Sequence, residues 1–138
     1  MKKHAATLLI LTIIALPGLV SAQTRALLKA DVPFEFVANG RTMPAGWCII
    51  QGRGDGQTIL SINSGNEHMF VAPNSTDSLK PSAKTSLVFH KYGDRYFLSS
   101  INRQGEQRGY ELPASSMEKE LRAQNVIEND VVLVAAAN

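Results

Sequence analysis

His68, His90 and Cys48 are the side chains best suited to acid–base, metal-binding or nucleophilic work, and each stands alone in the sequence. Zinc sites announce themselves as paired ligands a few residues apart, and no such pair occurs. A His-Cys-carboxylate group could assemble only in space, from His68, His90, Cys48 and Asp94. Nucleophilic catalysis needs a Ser or Cys on a strained turn with a base in reach, and no Ser lies in a Gly-x-Ser-x-Gly context. Asp31, Glu35, Asp55, Asp94 and Glu111 fall at turns or at alternating positions expected to face solvent, which argues against a buried pair of carboxylates. The glycines around Arg53 lack the following helix and Lys of a phosphate-binding loop. Arg53-Gly54-Asp55 matches an adhesion tripeptide, but turn geometry already accounts for its glycines. The expectation is a chain leaning away from enzyme, with a hydrolase the weakest alternative, and with no metal and no cofactor.

What remains is one mixed face. Leu87 to Ile101 contains two apolar-aromatic runs around Gly93-Asp94, a β-hairpin signal. The two-residue turn sets Tyr92 opposite Arg95, His90 opposite Phe97 and Phe89 opposite Leu98. Alternation then puts Leu87, Phe89, Tyr96 and Leu98 on a core face and Val88, His90, Tyr92, Arg95 and Phe97 on the other. That second face is either a further buried layer, with Arg95 stacked on Tyr92, or a wall for a ligand or partner. The residues assigned to such a surface are His90, Tyr92, Arg95, Phe97 and Trp47.

The elements that must position them follow from the rest of the chain. Residues 1–22 combine Lys2 and Lys3, an apolar run from Ala5 to Leu16, and small residues before Gln23, which predicts a secretory signal peptide cleaved after Ala22. No Cys follows the cleavage point, so no lipid anchor is indicated, and no membrane span remains after cleavage. The leader holds two of the 14 basic residues and none of the 12 acidic ones, leaving residues 23–138 near neutral. Without a basic cluster there is no electrostatic footprint for nucleic acid. One domain of this size holds one modest core. Cys48 is the only cysteine, so an internal disulfide is impossible and the thiol is expected as a small buried hydrophobe.

Strands are expected over 31–37, 41–43, 47–51, 58–62, 67–71, 87–92, 95–101, 108–112 and 131–134. Residues 23–29 form a short lead-in. Pro33 places the first strand at an edge, and Pro44-Ala45-Gly46 is a bend inside one continuing strand. Residues 73–84 are a polar loop, long enough to be a lid or a partner-binding connection. Ser115 with Glu118 three residues later is a capping box opening a surface helix over about 114–124, with Met117 and Leu121 as a narrow apolar stripe and Asn125 at its end. Val131 to Val134 is a well-buried last strand.

With the leader, Val32-Pro33-Phe34-Glu35-Phe36, Met43-Pro44-Ala45-Gly46, the hairpin from Leu87 to Leu98 and Glu111-Leu112-Pro113 with Glu118-Lys119-Glu120-Leu121, the chain resembles an uncharacterised group of short exported bacterial proteins, seen in acidobacterial-type soil bacteria. The resemblance implies an exported, mostly β domain without an assigned activity, and it carries over no catalytic residue. Trp47-Cys48 stands where the group would have a Tyr-Thr or similar pair. Together these readings predict an all-β sandwich or barrel of about seven or eight short antiparallel strands with one late helix. The functional expectation is a periplasmic or extracellular binding module for a protein or cell-envelope partner. The alternative is a carrier holding a small apolar ligand in a barrel cavity.

Overall fold

The computed structural model describes residues 25–137. The expected signal peptide and cleavage point lie outside the described residues. Within them the chain is mostly β, in two sheets stacked as a sandwich rather than closed as a barrel. The strands are β1 (Arg25–Val32), β2 (Phe36–Ala38), β3 (Arg41–Met43), β4 (Gly46–Arg53), β5 (Ile59–Ser64), β6 (Glu67–Val71), β7 (Asn74–Asp77), β8 (Ser86–Tyr92), β9 (Arg95–Asn102) and β10 (Arg108–Glu111). Helix α1 (Ser116–Ala123), β11 (Glu128–Val134) and β12 (Ala136–Ala137) complete it.

One sheet runs β12-β1-β4-β5-β6, and the other runs β11-β8-β9-β10-β7. The short β2–β3 hairpin joins the second sheet through a parallel pairing of Val37 with Phe97. Strand β9 therefore serves two neighbours on one edge, β2 near its start and β10 near its end, where Ile101 pairs with Tyr110.

Both proline signals mark crossings between the sheets. Pro33 cannot donate to a ladder, and the chain leaves β1 of one sheet there and enters β2 of the other. The expected strand 31–37 is thus two strands, and the supposed lead-in is the body of β1. Pro44-Ala45-Gly46 is likewise no bend in one strand, because β3 and β4 belong to different sheets. Two further expectations are corrected. Part of the polar 73–84 segment is β7, an exposed strand that completes the sheet edge against β10. The last strand, β11, is an edge strand with Val132 and Val134 exposed, since it has a neighbour only on its β8 side.

The central hairpin forms as its turn dictates. Gly93 adopts φ 62°, a conformation that costs glycine little, and the register pairs Tyr92 with Arg95, His90 with Phe97 and Phe89 with Leu98. A bulge follows: Val88 pairs with Ser100, so Ser99 is the extra residue, and its carbonyl accepts the Leu112 N–H at 2.8 Å. The extra residue resets the alternation, which lets Leu98 and Ile101 both point into the main core.

That core lies between the sheets. Leu28, Val32, Cys48, Ile50, Leu60 and Ile62 from one meet Leu87, Phe89, Leu98, Ile101 and Tyr110 from the other. Phe89 is its aromatic centre, edge-on to Phe34 at 5.1 Å and Phe36 at 5.4 Å, while Phe34 stacks on Tyr96 at 3.7 Å. Among the described residues, no buried side-chain nitrogen or oxygen lacks a hydrogen-bond partner.

Phe89→Ala should lower unfolding free energy by about 3–5 kcal/mol through lost burial and a residual cavity. An unchanged denaturant midpoint would refute its central place. Burial pushes the Cys48 thiol up from 9.0 to about 12. The folded chain therefore keeps a proton that the unfolded chain releases above its ordinary value. This contribution to stability is whole below pH 9 and is lost as pH rises toward 12. Alkaline denaturation should accordingly be shallower in Cys48→Ala across that window, and a thiolate-directed reagent at neutral pH should label the native protein only after unfolding.

Candidate functional site

Helix α1 closes over the outer face of the β8–β9 hairpin, and this seam is where the titratable groups gather. Ser115 caps the helix, its hydroxyl accepting the Glu118 N–H at 3.2 Å. The Arg122 carbonyl accepts the N–H of Asn125, whose φ of 56° ends the helix. Met117 and Leu121 pack with Val126 onto Val37, Tyr92 and Phe97, a second small core separate from the main one. Tyr92 and Phe97 of the mixed face thus form a second buried layer, and the predicted stripe is what buries them.

The capping box is only half formed. The Glu118 carboxylate, instead of returning to the cap, turns under the helix, leaving the residue 4% exposed. There Oε1 lies 2.7 Å from His90 Nδ1 and accepts from Arg122 Nη2 at 3.1 Å. Arg122 Nη2 also lies 3.1 Å from Nδ1. Of the two contacts the carboxylate's is the shorter, and an ionised carboxylate only accepts, which favours the tautomer with the proton on Nδ1 and directed at Glu118. Arg122 Nε donates to the Tyr92 hydroxyl at 2.7 Å, and that hydroxyl donates to Glu128 Oε2 at 2.7 Å. Burial, then the neighbouring carboxylates of Glu128 and Glu118, push the Tyr92 phenol up to about 12 against the pull of Arg122. The phenol therefore stays a donor. The Arg122 guanidinium is in turn held more firmly charged, chiefly by its hydrogen bond with Tyr92.

On the far side of the imidazole, Nε2 faces Glu128 Oε1 at 3.5 Å and Asp130 Oδ1 at 3.9 Å. One ligand atom from each of these three residues lies within 4.8 Å of the other two, the spacing of groups able to share a metal ion. Sequence reasoning missed this trio because β11 is remote from β8 in the chain. Antiparallel pairing sets Asp130 directly opposite His90 and Glu128 opposite Tyr92. Only the β8–β11 pairing, which no local signal specifies, could have found it.

The other expected site residues disperse. Tyr92 and Phe97 lie buried beneath α1. Arg95 sits exposed at the hairpin tip, where it lines a cleft of about 170 Å³ with Phe34, Glu35 and Tyr96. That is below the roughly 300–1,000 Å³ of drug-sized ligand pockets. The cation expected to stack on Tyr92 is instead a hydrogen-bond donor to it, and it is Arg122. The group imagined from His68, His90, Cys48 and Asp94 does not assemble: Cys48 is buried in the five-stranded sheet, His68 stands on that sheet's outer face and Asp94 is exposed in the hairpin turn.

Trp47 belongs to a different surface. Strand alternation and the ladder registers place Lys29, Trp47, Ile49, Gln51, Arg53, Ile59, Asn63, His68 and Phe70 on the outer face of the five-stranded sheet. Trp47 is 58% exposed, Phe70 52% and Ile59 44%. Lys29 Nζ lies 4.4 Å from the Trp47 ring centre, and the Arg53 guanidinium lies 5.4 Å from that of Phe70. Beneath Phe70 the Ser61 hydroxyl accepts from Asn63 at 3.2 Å and lies 3.3 Å from His68 Nε2. Clefts among the described residues around Ser78, Pro44, Gly105 and Arg95 are lined by neither His68 nor His90. No protein-family model, curated protein or solved structure matches this chain.

An eight-residue helix is marginal in water by itself, so its docking should depend on Glu118. Glu118→Ala should cost about 2 kcal/mol, the scale of a buried hydrogen bond to a charged partner. It should also speed amide exchange across residues 116–123. Retained protection of that helix would show that the Met117 and Leu121 packing holds it without the carboxylate.

Proposed function

We propose that this chain is an exported, non-enzymatic binding module whose five-stranded sheet docks a protein partner on its outer face. The observation that carries the reading is the exposure of Trp47, Phe70 and Ile59 together on that face of a sandwich whose interior is filled by side chains. The packing of the two sheets on one another among the described residues supports this reading over a carrier with a barrel cavity. Large aromatic and Arg side chains are the groups that dominate protein interfaces. Trp47 and Phe70 stand two strands apart across the sheet and four residues apart along it in register. That separation is about 16 Å at ordinary strand spacing and rise. Such spacing suits a partner that lies across the sheet, with apolar groups over the rings and carboxylates reaching Lys29 and Arg53.

Export rests on the leader pattern in residues 1–22 and on the resemblance to short exported bacterial proteins. None of the described helices is long and apolar enough to cross a membrane.

The test is selection of displayed peptides on the purified protein. Selected sequences should combine apolar residues with Asp or Glu. Their affinity should fall about 30-fold or more in Trp47→Ala and in Phe70→Ala, the loss typical of a hot-spot truncation. Because both side chains are exposed, circular dichroism and the thermal midpoint should stay close to those of the parent. Binding indifferent to both substitutions, or a small apolar ligand retained in native mass spectra of protein from its own periplasm, would overturn the reading.

A further inference from the structure

The seam between α1, β8 and β11 lies on the other sheet and is independent of the docking surface. Glu118 Oε1 lies 2.7 Å from His90 Nδ1, and an imidazole that donates Nδ1–H to it turns the Nε2 lone pair outward, free to bind an ion. What it meets there is two more acceptors, Glu128 Oε1 at 3.5 Å and Asp130 Oδ1 at 3.9 Å. Three acceptor atoms converging in this way are matched by a positive species among them, a proton on Nε2 or a metal ion.

Three features favour the metal. The first is orientation. Metal-binding imidazoles characteristically give their other N–H to a carboxylate, which fixes the ring and raises its basicity. Glu118, almost wholly buried, performs that role here. Glu128 is held in the same way, its Oε2 accepting from Tyr92 at 2.7 Å with Arg122 Nε at 3.4 Å, so that Oε1 is left free on the side of His90. The second is charge. Counting the groups that face the imidazole from α1, β8 and β11, three carboxylates (Glu118, Glu128 and Asp130) oppose the single guanidinium of Arg122. With a neutral imidazole the formal excess is two negative charges, which a divalent cation cancels and a proton only halves. The third is size. Ligand atoms at zinc distances in a tetrahedral arrangement sit roughly 3.3–3.6 Å apart. The Glu128 contact at 3.5 Å falls in that range, the Asp130 contact at 3.9 Å lies just outside it, and the Asp130 carboxylate is exposed and so not held by packing.

We infer that His90 Nε2, Glu128 and Asp130 bind one divalent transition-metal ion at the rim of the α1 seam, with zinc the best-matched ion and solvent completing its coordination. Imidazole with carboxylates suits such ions, whereas calcium and magnesium prefer all-oxygen sites. Bound there, the ion would tie edge strand β11 to β8, with Glu118 of α1 fixing the imidazole from behind.

The experiment is calorimetric titration of zinc chloride into the untagged, chelator-treated protein near neutral pH, with the thermal midpoint followed in parallel. One equivalent per chain should bind and raise the midpoint. Asp130→Asn, an exposed edge substitution that leaves the core alone, should weaken binding at least tenfold, and His90→Gln should abolish it. Glu118→Gln should weaken it about 10- to 100-fold, as loss of an orienting carboxylate does. His68→Gln and Cys48→Ala should leave it unchanged, and the imidazole ¹⁵N resonances should show zinc on Nε2 of His90 and not on His68. Two outcomes overturn the proposal: no saturable uptake below millimolar zinc, which would leave His90 as a proton-bearing ion pair, or uptake indifferent to Asp130→Asn.

Discussion

The β8–β9 hairpin carries large apolar side chains on both faces, and the rest of the molecule is arranged to cover them. Phe89, Leu98 and Ile101 require the opposing sheet, while Tyr92 and Phe97 require something else, because a strand pair cannot turn both faces to one neighbour. Helix α1 is that second cover. It is too short to persist unaided, so its Met117 and Leu121 stripe and its buried Glu118 are conditions of its existence as much as consequences of it.

Burying Glu118 has a cost that apolar packing alone cannot offset. A carboxylate removed from water must recover its solvation from hydrogen bonds, and here His90 and Arg122 supply them while Arg122 also reaches Tyr92 and Glu128. The network thereby couples three elements distant in the chain. Its outer rim, where His90 meets Glu128 and Asp130, is the part not closed by internal donors, and it is the part open to an ion. The two faces of functional interest are divided between the sheets: aromatic and cation-flanked on the five-stranded one, carboxylate-rich and imidazole-bearing on the other.

The hairpin register, the helix with its Ser115 cap and Asn125 stop, and the burial of Cys48 were legible in the residues, because each depends on neighbours in sequence. Where the reading failed, local signals were right about an interruption and silent about its direction. Pro33 and Pro44 do break strands, but that the chain then changes sheets depends on which partner each half finds. The same holds for β7, whose polar residues form a strand only because β10 offers an open edge, and for Val131 to Val134, apolar enough for a core strand yet left at an edge.

The candidate sites divide along the same line. The sequence alone determined that His90, Tyr92 and Phe97 share one face and that Glu118 begins a helix three residues after its cap, since alternation and helical spacing are properties of consecutive residues. Tertiary structure alone decided that Glu118 turns inward to His90, that Arg122 rather than Arg95 engages Tyr92, and that Trp47 joins Phe70 on the opposite sheet. Those outcomes rest on the docking of α1 and on the pairing of β11 with β8. A carboxylate will satisfy either its own helix terminus or a distant imidazole, and only the packed fold determines which partner is within reach.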